Sequence, residues 1–176
     1  MNEKRMVVSD VVRLAAVDAF FIALACLMPV LAHRTAFPLH YFDPLRLLVL
    51  SGLFWTASRR NACLLALLLP LFAFSVSGYP LPLKGVLIGC ELVVNVLLFA
   101  LLNRRMRSVF LPMFLSILLS KVVYYLLKWC AVSMGLLDTS VSGTPLLPQL
   151  IAALSFSLIF AVVARRSHPD KTYKSF

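Results

Sequence analysis

Two sets of polar residues at helical spacing lie inside apolar segments, and they carry most of the chemistry this chain offers. Lys84, Glu91 and Asn95 follow one another at steps of seven and four, which puts all three on one stripe of a helix. Lys121, Tyr124, Tyr125 and Lys128 recur at steps of three, four and seven in a second segment, with Trp129 beside the last. An ionisable group inside a bilayer is costly, so each is a functional hypothesis by default. A carboxylate on one stripe facing two ammonium groups on another could line an outward-facing pocket. It could equally be a structural Glu–Lys pair that holds two helices together, with Lys128 snorkelling to the interface.

Enzymatic chemistry finds little support in the residue pattern. No HExxH, GxSxG or phosphate-binding loop occurs, and carboxylates at catalytic spacing are missing. His33, His40 and His168 stand alone, and read as loop residues or substrate contacts rather than metal ligands. Cys26, Cys63, Cys90 and Cys130 lie singly in or beside apolar runs, as small buried hydrophobes do. No activity, metal or cofactor is therefore expected; a small membrane enzyme or lipid-modifying protein is a third reading, which would hinge on His40 or Glu91.

The elements that must position these residues follow from composition. Of 176 residues, 61% are hydrophobic and 14% charged, and the mean hydropathy is +0.94. A soluble domain of this size could not hide so much apolar mass, whereas runs near 20 apolar residues suit a bilayer. The chain reads as an all-α integral membrane bundle, one domain over residues 1–176. Six spans are expected, at about 11–32, 44–58, 62–74, 84–102, 109–134 and 149–164. The first is long enough to span and lacks an obvious processing site, so it is expected to be a helix and not a cleaved leader. Asp43-Pro44 predicts an N-cap with a first-turn proline, Arg59-Arg60-Asn61 a tight turn, and Pro70 a kink in the third helix.

The formal charge of +10 is clustered between apolar runs, at Lys4–Arg5, Arg59–Arg60, Arg104–Arg105–Arg107 and Arg165–Arg166. That pattern is a topology signal rather than a nucleic-acid patch. With the N-terminus inside, every cluster falls on the cytoplasmic face, so both termini are expected there. The other face keeps Arg34, with Arg46 and Lys84 near helix ends. It also has long loops rich in Pro, Gly, Ser and aromatics, of the kind that often cover binding sites. Glu91 is expected about 10 Å below that face. Tyr79, His40 and Tyr41 lie in its loops, above Lys128 and the deeper Lys121.

The stretch SGYPLPLKGVLIGCE bears on identity. Gly78, Pro80 and Pro82, followed by Glu91-Leu92, together with a His-containing loop before the second helix, resemble the substrate-binding S components of energy-coupling factor (ECF) transporters. Ala15, Ala19 and Ala23 of the first helix resemble the family's AxxxA pattern; by spacing alone they are a small-xxx-small stripe that could as well pack internally. Leu81 interrupts the proline pair, and SGLFWTASRRNAC is poorer in glycine than is usual for the family.

The resemblance implies a vitamin- or cofactor-precursor-binding subunit in a bacterial plasma membrane. It would dock through helix one onto a T component with two ABC ATPases, or work alone. Ligand would sit under the outer loops, which would make SGYPLPL a rigid lid. Lys84, Lys121 and Lys128 favour an anionic ligand, while Trp129, Tyr41, Tyr79 and Tyr124 offer stacking surface. The competing reading is a non-transporting six-span scaffold of the rod-shape-determining type.

Overall fold

The computed structural model describes residues 2–34, 43–78, 82–106, 108–137 and 146–167, with side chains at 11–28, 43–78, 82–106, 108–137 and 147–164. Among these the regular structure is helical: α1 (Asn2–Arg34), α2 (Pro44–Thr56), α3 (Arg59–Ser77), α4 (Pro82–Asn103), α5 (Phe110–Ser133) and α6 (Leu146–Ser167). Five contain stretches long and apolar enough to cross a membrane, namely Val11–Met28, Arg59–Ser77, Pro82–Asn103, Phe110–Ser133 and Leu147–Ala164. Large apolar side chains such as Phe20, Trp55, Leu101 and Leu158 cover the outside of the bundle. The chain thus has the make-up of a multi-pass membrane protein.

Local chemistry sets the helix ends. Pro44 opens α2, where its missing N–H costs no hydrogen bond. Asp43 occupies the N-cap position with a left-handed backbone, φ 46°, a conformation Asp tolerates better than most residues. Its side chain makes no cap hydrogen bond, contrary to the expected capping role, because the carboxylate is committed elsewhere. Ala57 closes α2 with a left-handed turn, its N–H donating to the Leu53 carbonyl at 2.9 Å. Ser58 then caps α3 by accepting from the Asn61 N–H. The turn is therefore Ala57-Ser58. Arg59, Arg60 and Asn61 belong to the first turn of α3 rather than to a connection.

Pro70 lies inside α3, which continues to Ser77. It cannot donate to Ala66, four residues back, so that carbonyl is left without its helical partner. Gly89 of α4 faces it: a Cβ built on Gly89 would stand 3.4 Å from the Ala66 oxygen. The glycine lets the two backbones meet where the proline has opened one of them.

The 13-residue α2 lies deep in the bundle. Leu48, Val49 and Leu50 are buried in succession, which an amphipathic helix with one free face would not allow. It packs against α1, α3 and α4, and Phe54 stacks on Phe160 of α6 at 4.9 Å between centroids. At Gly52 an added Cβ would come within 2.7 Å of Leu65, so α2 and α3 touch closely there. At roughly 1.5 Å per residue α2 is about 20 Å long, short of the ~30 Å hydrocarbon core.

Candidate functional site

The N-terminus of this short helix meets the polar stripes of α4 and α5. Arg46, in the first turn of α2, is 1% exposed, and its Nη2 donates to Glu91 Oε1 of α4, itself 3% exposed. Arg46 Nε stands 3.0 Å from Asp43 Oδ2. Lys121 of α5 completes the group, its Nζ 3.1 Å from Asp43 Oδ2 and 3.0 Å from Glu91 Oε1. Two cations and two carboxylates from three elements thus alternate around a closed ring of contacts. Asp43 and Lys121 keep about a quarter of their side-chain surface, 26% and 23%. The ring has a buried side, Arg46–Glu91, and a partly open side, Asp43–Lys121.

Helix lengths explain why these residues meet. Arg46 lies 10 residues before the end of α2, Glu91 lies 12 before the end of α4, and Lys121 lies 11 after the start of α5. Successive helices joined by short turns run antiparallel, so those three ends share one side of the bundle. The ring then sits about 15–18 Å above that side, close to the middle of a bilayer. A charge there is expensive unless paired, and the ring pairs all four.

Below the ring, Asn95 donates to the hydroxyls of Ser116 and Ser120 at 3.4 Å each. All three are buried, and they tie α4 to α5. Asn95 Oδ1 and Arg46 Nη1 are buried with no hydrogen-bond partner among the described residues. Tyr124 places its ring 5.7 Å from Lys121 Nζ, a cation–π contact. Its edge meets Tyr125 at 5.6 Å, and the Tyr125 hydroxyl contacts Gln149 of α6 at 2.8 and 3.2 Å.

Of the residues singled out in the sequence, Glu91, Lys121 and Tyr124 come together, with Asn95 one turn below. Lys84 and Lys128 lie seven positions further along α4 and α5, about 10 Å away toward the opposite end. Lys84 is half-buried, and Lys128 is 7% exposed. Trp129 is 60% exposed on the outer surface of α5, away from the ring. His40, Tyr41 and Tyr79 lie outside the described residues. Ala15, Ala19 and Ala23 are all exposed on α1, so the stripe does not serve to pack α1 inside this chain.

Arg46 and Asp43 are the participants that residue spacing did not identify. The signal was present: a lone arginine in an apolar helix, three residues after an aspartate, is the kind of intramembrane charge that demands a partner. Placing Arg46 near a helix end and Asp43 at a cap gave each a local explanation that hid their link to Glu91. Among the described residues no group of His, Cys, Asp and Glu could hold a metal ion. No family model, no curated protein and no solved structure matches the chain.

Proposed function

We propose that this chain is a substrate-binding membrane subunit of an uptake system, similar to ECF S components, that captures a vitamin-like small molecule on the outer face. In this reading all six helices belong to the membrane domain, both termini are cytoplasmic, and the protein resides in a bacterial plasma membrane. The carrying observation is the partly open Asp43–Lys121 pair, backed by the buried Arg46–Glu91 pair at mid-depth of the bundle. A bundle that only needed to hold together could achieve it with the Asn95–serine and Tyr125–Gln149 contacts. Leaving two charges accessible at that depth is costly, and a polar site for a ligand gives the cost a purpose.

The exposed alanines on α1 support the second half of the reading. A T component bearing two ABC ATPases would dock there, since small residues let a partner helix approach closely. Native mass spectrometry of the protein in lipid nanodiscs, loaded with a small-molecule cell extract, tests the proposal. One retained molecule per chain is expected. A chain that retains nothing under these conditions would instead fit the scaffold reading.

A further inference from the structure

The lysines on the two polar stripes suggest an anionic ligand, but the ring alters the count. Lys121 stands between two carboxylates, and Arg46 contacts the same two. The four charges already sum to zero. A ligand group with a net charge would have to leave water and sit against a neutral cluster without a counter-ion of its own.

Hydrogen-bonding capacity is less evenly used than charge. Both ion pairs of Asp43 fall on Oδ2, so Oδ1 is in ion-pair contact with neither cation among the described residues, and a carboxylate oxygen can accept more than one hydrogen bond. An ammonium group has three N–H donors, and Lys121 directs two contacts to Asp43 and Glu91. Arg46 Nη1 adds a buried donor with no acceptor among the described residues. Asp43 and Lys121 are also the two members with surface left to touch. Side by side they offer one acceptor and one donor, with the Tyr124 ring next to Lys121.

We infer that the group bound at Asp43 and Lys121 is uncharged and planar, and presents a donor beside an acceptor: an amide, lactam or ureide edge. Its N–H donates to Asp43 Oδ1, and its carbonyl oxygen accepts from Lys121 Nζ. The Tyr124 ring supplies apolar surface for the rest of the planar group. A carboxylate in the same place would accept from Lys121 but put its second oxygen against Asp43. An ammonium group would satisfy Asp43 and repel Lys121. A site of paired polar groups rejects an analogue that leaves one of them unmatched.

The inference rests on the ligand-binding reading, and one experiment separates the two. Wild type, Lys121→Met and Asp43→Asn, each in nanodiscs at pH 7, are loaded with the same cell extract and washed, and the retained molecules are identified by mass spectrometry. Folding is checked by size exclusion and circular dichroism. Wild type should retain a compound that is neutral at pH 7 and carries an amide-type edge. Each variant should retain at least about tenfold less, the lower end of the scale of one hydrogen bond to a charged group. The milder Asp43→Asn carries the test if Lys121→Met does not fold. An anionic or cationic retained compound, or a neutral one held equally by the folded variants, overturns the inference and leaves ligand binding standing. Retention of nothing by wild type overturns both.

Discussion

Arg46 of α2 donates to Glu91 of α4 across 45 positions of sequence, and both side chains are almost wholly buried. The pair sits where three helices meet, and Lys121 reaches the same Glu91 oxygen from α5. Removing one partner from such a pair leaves the other charged in a medium that cannot solvate it.

Glu91→Gln should therefore destabilise the fold strongly, by about 3–5 kcal/mol, the usual scale for a broken buried ion pair. The double change Arg46→Met with Glu91→Leu removes both charges, leaves Asp43 to Lys121, and should recover most of the loss. Thermal unfolding in nanodiscs checks this. A double variant no more stable than Glu91→Gln would show that the pair is not the source of the effect.

Asp18 of α1 accepts from Asn61 Nδ2 of α3 at 2.6 Å. Asn61 is buried and Asp18 half-buried, so Asn61→Leu should cost about 1.5–3 kcal/mol, as expected for a hydrogen bond to a charged group. Asp18→Asn with Asn61 retained should cost less, because no charge is left without a donor. Equal losses in the two variants would argue against this account.

Much of the architecture was legible because apolar length and loop punctuation are one-dimensional signals. The start of α2 at Pro44 and the six-helix order follow from them. What escaped was the ring, because a partner 45 or 78 positions away leaves no periodic trace. Glu91 and Lys121 were readable as intramembrane charges, each on its own stripe. Asp43 looked like a cap and Arg46 like an end charge, and only tertiary packing shows them joined. Trp129 misled for the opposite reason: adjacency to Lys128 in sequence put it on a different face of α5.

Ala19 is exposed on α1, so Ala19→Leu should change stability by no more than about 0.5 kcal/mol. If a T component docks there, the same change should abolish coupled uptake while ligand retention stays at the wild-type level. Normal uptake by the variant would place the docking surface elsewhere.

Single-cysteine labelling tests the orientation, after Cys26, Cys63, Cys90 and Cys130 are replaced. Cysteines introduced at Arg60, in the first turn of α3, and at Arg105, in the turn after α4, both exposed, should react only when the reagent reaches the cytoplasmic side. Labelling of either from outside intact cells would reverse the assignment of both termini.

The shortness of α2 also bears on how the protein enters the membrane. Arg46 is synthesised 45 residues before Glu91, and a helix of about 20 Å with a central-depth arginine is a poor substrate for insertion by itself. An unpaired arginine in so short an apolar helix opposes its insertion. Until α4 emerges, Asp43 is the only ring carboxylate available to it. The hairpin of α2 and α3 should then wait at the interface and enter together with α4. Glycosylation-site mapping of nascent chains can follow this order. Chains cut after Ser77 should leave α2 outside the hydrocarbon core, and chains extended past Asn103 should carry it in. Insertion of α2 from the shorter chains would mean that Arg46 finds its first partner somewhere other than α4.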